Sequence, residues 1–291
     1  MAKQLGDLSS DQVIAALPKP RLTIVPRRSW VPTNLRELWE FRTLLARFAA
    51  RDLTLRYRQT ALGVTWVVLQ PLLGAGVLSF VFGSVAGLPG PAGIPYFIFS
   101  LTGMVAWTAF SQITSRSSGV LVGNAQLVSK VYFPRLILPL STVLSTMIDV
   151  GVSLLLLAVL MAVKGVAPGP ALVLAPVWLL LIVAVSLGIG MGAGALMVRY
   201  RDVQYLLPVA VQFLLYASPV AYALSAVPAS AQTLFKLNPL TGLLEAFRWS
   251  VLDTTRPSTG LIAYSSITSV VLLFVGLAFF TRMERQFADV I

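Results

Sequence analysis

The most constraining feature of the chain is a stretch of 57 residues, 59–115, without a single charged side chain. A helix crosses a bilayer with about 20 apolar residues, so this stretch is too long for one span and must hold two with a turn between them. Gly87-Leu88-Pro89-Gly90-Pro91-Ala92-Gly93 supplies the turn and sets the first two spans at 61–86 and 96–115. A third apolar segment covers 138–163. The Gly/Pro-rich break 164–170 precedes a fourth at 171–198, and Arg199-Tyr200-Arg201-Asp202 precedes a fifth at 205–223. The sixth is 261–281. The expected fold is an all-α polytopic membrane protein with six transmembrane helices, and a composition of 57% hydrophobic and 11% charged residues agrees.

The net charge of +11 is mostly a topology signal. Of 22 Lys and Arg, 11 lie in residues 1–60, three in 116–135, and four more are Arg199, Arg201, Arg282 and Arg285, all on one side of the six spans. Lys164, Lys236, Arg248 and Arg256 fall on the other. The positive-inside rule makes the richer side cytoplasmic, so the chain reads as multi-pass in a bacterial inner membrane with both termini inside. Segment 1–60 is then a cytoplasmic N-terminal segment, 61–281 the transmembrane domain and 282–291 a cytoplasmic tail. No apolar h-region lies near Met1, so the first span is expected to act as its own insertion signal. No nucleic-acid partner is implied.

Three segments outside the spans carry further signal. Asn34 and Glu37 form a capping pattern ahead of Leu38, Phe41, Leu44, Leu45 and Phe48, which recur at helical spacing opposite Arg36, Glu40, Arg47 and Arg51; this predicts an amphipathic interface helix. Segment 224–256 is too polar to cross the membrane and too apolar for open solvent. Pro219 should end span five, and Asn238-Pro239 should split segment 224–256 into a short helix from about Ser230 and a longer one from Thr241 to Leu252. We expect re-entrant extracytoplasmic helices there, acting as a gate, with Leu244 and Phe247 on the apolar stripe and Glu245 and Arg248 on a wet side. The amphipathic piece 121–132 in the loop before span three reads either as a docking helix or as a surface connector.

Catalytic chemistry is sparse. Cysteine and histidine are absent, which removes disulfides, thiol nucleophiles, Ser-His-Asp triads and Cys/His metal sites. The dipeptide Gly-Lys does not occur, so there is no Walker A phosphate cradle. Gly188, Gly190, Gly192 and Gly194 lie within an uncharged run and read as a face for close helix packing rather than a dinucleotide loop. The only ionisable residue well inside a span is Asp149. It is either a functional intramembrane polar residue or one hydrogen-bonded to Ser141, Thr142, Ser145, Thr146 or Ser153 to hold helices together.

The segment from Asp52 to Leu72, with Arg56-Tyr57-Arg58-Gln59 and Trp66 to Pro71, resembles the motif leading into the first span of the ABC-2-type polysaccharide export permeases. Val131-Tyr-Phe-Pro-Arg-Leu-Ile-Leu-Pro139, Tyr200-Arg-Asp-Val203, Ser218-Pro-Val-Ala-Tyr222 and Leu237-Asn-Pro-Leu240 resemble further family motifs in the same order, and together they cover nearly the whole chain. Leu35 to Leu45 is similar to the O-antigen branch. The resemblance implies a homodimeric permease subunit, not itself an enzyme, that binds two copies of a cytoplasmic ATPase and moves an undecaprenyl-type lipid-linked polysaccharide outward; ATP and Mg would be bound by the partner and no cofactor by this chain. It makes the loop before span three the ATPase-coupling element, with Asn124, Gln126, Leu127 and Lys130 as its contact residues. Spans one and five would line the channel through Trp66, Gln70, Gln212 and Tyr216, for which ordinary helix packing is the alternative. Arg51, Arg56 and Arg58 would form the lipid-pyrophosphate entrance, with positive-inside anchoring as theirs. Competing functions are an ABC-2 exporter of a small hydrophobic compound or lipid, an integral-membrane enzyme of glycan or lipid metabolism, and a secondary transporter.

Overall fold

The computed structural model describes residues 35–58, 65–88 and 90–290, and among them every regular element is helical. The N-cap assigned to Asn34, the segment before it, and residues 61–64 at the head of span one lie outside the described residues. The first described helices are α1 (Leu35–Glu40) and α2 (Arg42–Tyr57), which bury Phe48 and Ala49 and leave Arg42, Arg47 and Arg51 exposed together with Trp39 and Leu55. Then comes α3 (Thr65–Leu78), whose last turns widen into a π-helical stretch, Ser79–Val85.

Among the described residues five helices are long and apolar enough to cross a membrane, so this is a multi-pass membrane protein. They are α3 with its π-helical end, α4 (Tyr96–Gly123), α6 (Ile137–Val163), α7 (Ala175–Arg199, preceded by the 3-10 turn Pro170–Leu174) and α11 (Thr259–Val290). α4 is the hub and the most buried of the five, whereas α3 is the least covered. It packs on α6 and α7, and α7 packs in turn on α11.

The glycine run of α7 explains that closeness. A Cβ at Gly276 of α11 would run into the Gly188 carbonyl, one at Gly190 into Ser117 of α4, and one at Gly194 would lie 3.0 Å from the Ser118 carbonyl. Without burial of apolar surface to drive association inside a bilayer, such small faces let backbones approach and gain dispersion contact. Gly192 faces open space and takes no part.

Three boundaries differ from expectation. Span two does not stop at Ser115: α4 continues to Gly123 and carries Arg116 within the helix, because no proline intervenes and the guanidinium finds an acidic partner. The segment expected to be span five, 205–223, forms only α8 (Val203–Tyr216), 14 residues. At about 1.5 Å per residue it falls short of a hydrocarbon core of about 30 Å. The cause is Pro219, which lacks a backbone N–H; the chain turns through 217–223 instead. Beyond it lie a 3-10 turn (Leu224–Ala226), α9 (Ala229–Leu237) and α10 (Pro239–Leu252). The break between α9 and α10 falls at Asn238, whose side chain accepts from the Leu240 N–H. The last helix does not end at Thr281 but runs on to Val290 through most of the expected tail.

Candidate functional site

α6 presents Ser141, Thr142, Ser145, Thr146, Asp149 and Ser153 to the interior, all buried. The serines do not hold Asp149. Ser141, Thr142 and Ser145 donate to carbonyls one turn back, and Ser153 donates to the Asp149 carbonyl rather than its carboxylate. Among the described residues the carboxylate is instead taken by Arg56 and Tyr57 from α2 and Arg116 from α4. Arg56 and Arg116 both donate to Oδ2, the latter at 3.3 Å, and the Tyr57 hydroxyl donates to Oδ1 at 2.8 Å. Arg116 donates also to the Thr146 hydroxyl at 3.1 Å. Burial, opposed by the Arg56 guanidinium and reinforced by the Asp149 carboxylate, holds the Tyr57 phenol above its usual range, so it stays a donor. The cluster thus ties the interface helix to two membrane helices through one acid.

The three arginines expected at the entrance separate. Arg56 turns inward to Asp149. Arg51 donates to Asn124 Oδ1 at 2.8 Å, with its guanidinium over the Phe48 ring at 5.1 Å. Arg58 follows α2 as its exposed C-cap. Arg116 is the member that sequence reading missed, because it was assigned to a loop. The signal for it was the absence of any proline between Ser115 and Leu121.

Asn124 opens the element expected to serve coupling, which is shorter than the expected 121–132. Leu121 belongs to α4 and is buried, the helix α5 spans Ala125–Lys130, and Tyr132 lies beyond it, 85% exposed. Val128 anchors α5; Gln126 and Lys130 are exposed and Leu127 is half-buried. Arg51 joins this element to α2, so residues expected to serve coupling and entrance meet at one end of the bundle.

Trp66 and Gln70 lie one turn apart on an exposed face of α3, and Gln212 and Tyr216 likewise on α8. α8 buries none of its residues. At the opposite end from α5, the end of α3, the turn 217–223 and α9 enclose a cavity of about 380 Å³ lined by Phe82, Tyr216, Tyr222 and Phe235. The Tyr222 hydroxyl donates to the Tyr216 carbonyl at 2.7 Å.

The residues expected to form a gate do not sit at a wet mouth. Leu244, Phe247 and Arg248 are 1%, 0% and 1% exposed, packed among α4, α7 and α11. The Arg248 guanidinium lies 4.0 Å from the Phe99 ring centroid and donates to the carbonyls of Pro219 (2.7 Å), Val220 (2.9 Å) and Tyr222 (3.3 Å), as well as to Glu245. Asn238 donates to the Ala217 carbonyl and the Ser218 hydroxyl, and Tyr96 to the Ala221 carbonyl. The broken end of α8 has carbonyls that no helix satisfies, and these side chains supply the donors. That is why Arg248 is inside: it replaces a missing turn of helix.

Residues 43–252 match the profile of the ABC-2 type transporter family. The O-antigen export system permease protein RfbA of Myxococcus xanthus is 30% identical over 257 residues, which cover 88% of this chain and 98% of that protein. A second RfbA, from Klebsiella pneumoniae, is 26% identical over 85% of this chain and 95% of its own length. The polysialic acid transport protein KpsM of Escherichia coli is 28% identical over 81% and 91%.

Proposed function

Since the chain belongs to the ABC-2 type transporter family, and within it to the polysaccharide export permeases, we propose that it is the channel-forming subunit of an ATP-driven exporter. The cargo is a lipid-linked, O-antigen-like polysaccharide, carried outward across the bacterial inner membrane. The observation that carries this reading is the near end-to-end match to relatives named as O-antigen export permeases. The charge pattern supports a cytoplasmic α5 end, with both termini on that side. In this reading α8 and the turn 217–223 complete a sixth crossing, and α9 and α10 re-enter the outer leaflet. Backbone that is not helical is tolerated at such depth where protein donors satisfy it, as Arg248, Asn238 and Tyr96 do here.

Two permease copies with two copies of a separate ATPase make the working unit. α5 docks on the ATPase through Asn124, Gln126, Leu127 and Lys130, and nucleotide and Mg stay on that partner. The exposed faces of α3 and α8 meet their counterparts around the path, where Trp66, Gln70, Gln212 and Tyr216 offer aromatic faces and amides to a sliding glycan. The break held by Arg248, with Leu244 and Phe247 beneath it, closes the outer end. The lipid pyrophosphate is met at the α2 end by arginines, for which Arg51, Arg56 and Arg58 are the sequence candidates.

The test is export itself. Cells that lack the chain and still make the polymer should accumulate it on its lipid carrier inside, unreactive to antibody added outside until they are permeabilised. Polymer reaching the surface at the normal rate would refute the reading.

A further inference from the structure

The Asp149 cluster holds two guanidiniums against one carboxylate. Both converge on Oδ2, and the Tyr57 phenol donates to Oδ1. Arg56 and Arg116 are 26% and 27% exposed, at the edge of the bundle rather than in its core. A guanidinium carries five N–H donors, and among the described residues only the Nη1 groups of these two are engaged. The pair therefore presents two planar forks, held together against their own repulsion, with one net positive charge left over. On the same turn of α2 as Arg56, Leu55 is 71% exposed, so the helix that carries the cationic edge also carries bare apolar surface on its outer face. A helix with both chemistries suits an amphiphile with an anionic head.

We propose that Arg56 and Arg116, clamped by Asp149, bind the phosphate of a lipid headgroup at the α5 end of the bundle; this rests on the export reading above and names its phosphate subsite. Asp149 is the resident anion that the phosphate displaces. Its charge keeps the two forks parked together when no phosphate is present, and it competes with the phosphate that replaces it. Arg51, turned to Asn124, and Arg58, exposed at the end of α2, are outside this subsite.

Full-length permease purified in detergent is titrated with a polyprenyl diphosphate, with the matching polyprenol and inorganic pyrophosphate as further probes. Wild type should retain the diphosphate and release the alcohol. Arg56→Lys and Arg116→Lys keep the charge and the partner for Asp149 but lose the fork, and should each weaken binding about tenfold or more. Asp149→Asn should bind at least as tightly as wild type, because the competing anion is gone; damage to the fold would move it the other way. Arg201→Gln, at an exposed turn, should change nothing, and every variant must elute from gel filtration as wild type does. Wild-type affinity in both lysine variants, or weakening by Asp149→Asn, overturns the subsite while leaving the export reading intact. Failure of wild type to prefer the diphosphate over the alcohol overturns the lipid-linked reading itself. Displacement by inorganic pyrophosphate at equal concentration assigns the site to free phosphate and overturns the lipid.

Discussion

Arg248 lies with its charge against an aromatic face and three backbone carbonyls, and its one acidic partner, Glu245, is half-buried. A cation so placed is stable only because every direction around the fork except Nε meets an acceptor or a ring. Removing it strands three carbonyls and leaves Glu245 with the Leu224 N–H alone among the described donors. Arg248→Met should therefore destabilise the fold by about 3–5 kcal/mol, the cost of breaking a buried charged pair. Arg248→Lys should lose less, since an ammonium reaches some of the same oxygens but cannot span the fork. Because membrane proteins unfold irreversibly, the check is the temperature at which monodisperse protein is lost in detergent. An Arg248→Met variant as resistant to heating as wild type would show that water or lipid satisfies the turn instead. Three apolar neighbours, Leu243, Leu244 and Phe247, made Arg248 look like the wet edge of an amphipathic helix. Nothing in that spacing indicates that the opposite wall is exposed backbone hungry for donors.

At the scale of elements, α5 is a single short helix fastened by Val128 and by Asn124 to Arg51 of α2. If it transmits motion from the ATPase, its rigidity matters more than its sequence. Replacing 125–130 with Gly and Ser should abolish export while insertion and folding persist, since only Val128 of these six is buried; export and partner co-purification at wild-type level would refute the role. The hairpin of α9 and α10 makes a sharper prediction. The protein has no cysteine of its own. Introduced one at a time, cysteines along α9 should alternate between reactive and protected toward a membrane-impermeant thiol reagent, because Ala231, Gln232 and Phe235 turn inward while Ser230, Thr233, Leu234 and Lys236 turn out. Along α10 they should be protected almost throughout, with Glu245 and Trp249 the least covered. Uniform labelling of both would mean a solvated loop. The existence of this hairpin, and its break at Asn238-Pro239, was legible in the sequence because proline and asparagine punctuate chain locally. The length of α8 and the far end of α4 were not. Apolarity alone does not say where a helix stops, and a charged residue such as Arg116 ends a predicted span even when its partner sits on another helix.

For the whole molecule, two of the apolar helices are barely covered by the rest of the chain: α3 and α8. Lipid could cover them, but each carries an exposed amide, Gln70 and Gln212, among apolar neighbours. An amide without a partner in hydrocarbon costs at least about 1–3 kcal/mol, so exposed glutamines at that depth point to water or protein rather than acyl chains. On α6, by contrast, the exposed residues Leu144, Ile148, Leu155 and Val159 carry no polar group and make an ordinary lipid face. Spacing in the sequence could nominate Gln70 and Gln212 but not say which way they face, since facing is settled by α4, α6 and α7 packing on one another. If the amides line the path of two assembled copies, a cysteine at Gln70 or Gln212 should react with a hydrophilic thiol reagent in the assembled transporter. Reactivity should fall when the polysaccharide substrate occupies the path. A cysteine at Leu155 should stay unreactive in both states and take a lipid-soluble reagent instead. Equal silence at all three positions toward the hydrophilic reagent would place α3 and α8 against lipid, and would leave the glycan to find its way elsewhere in the assembly.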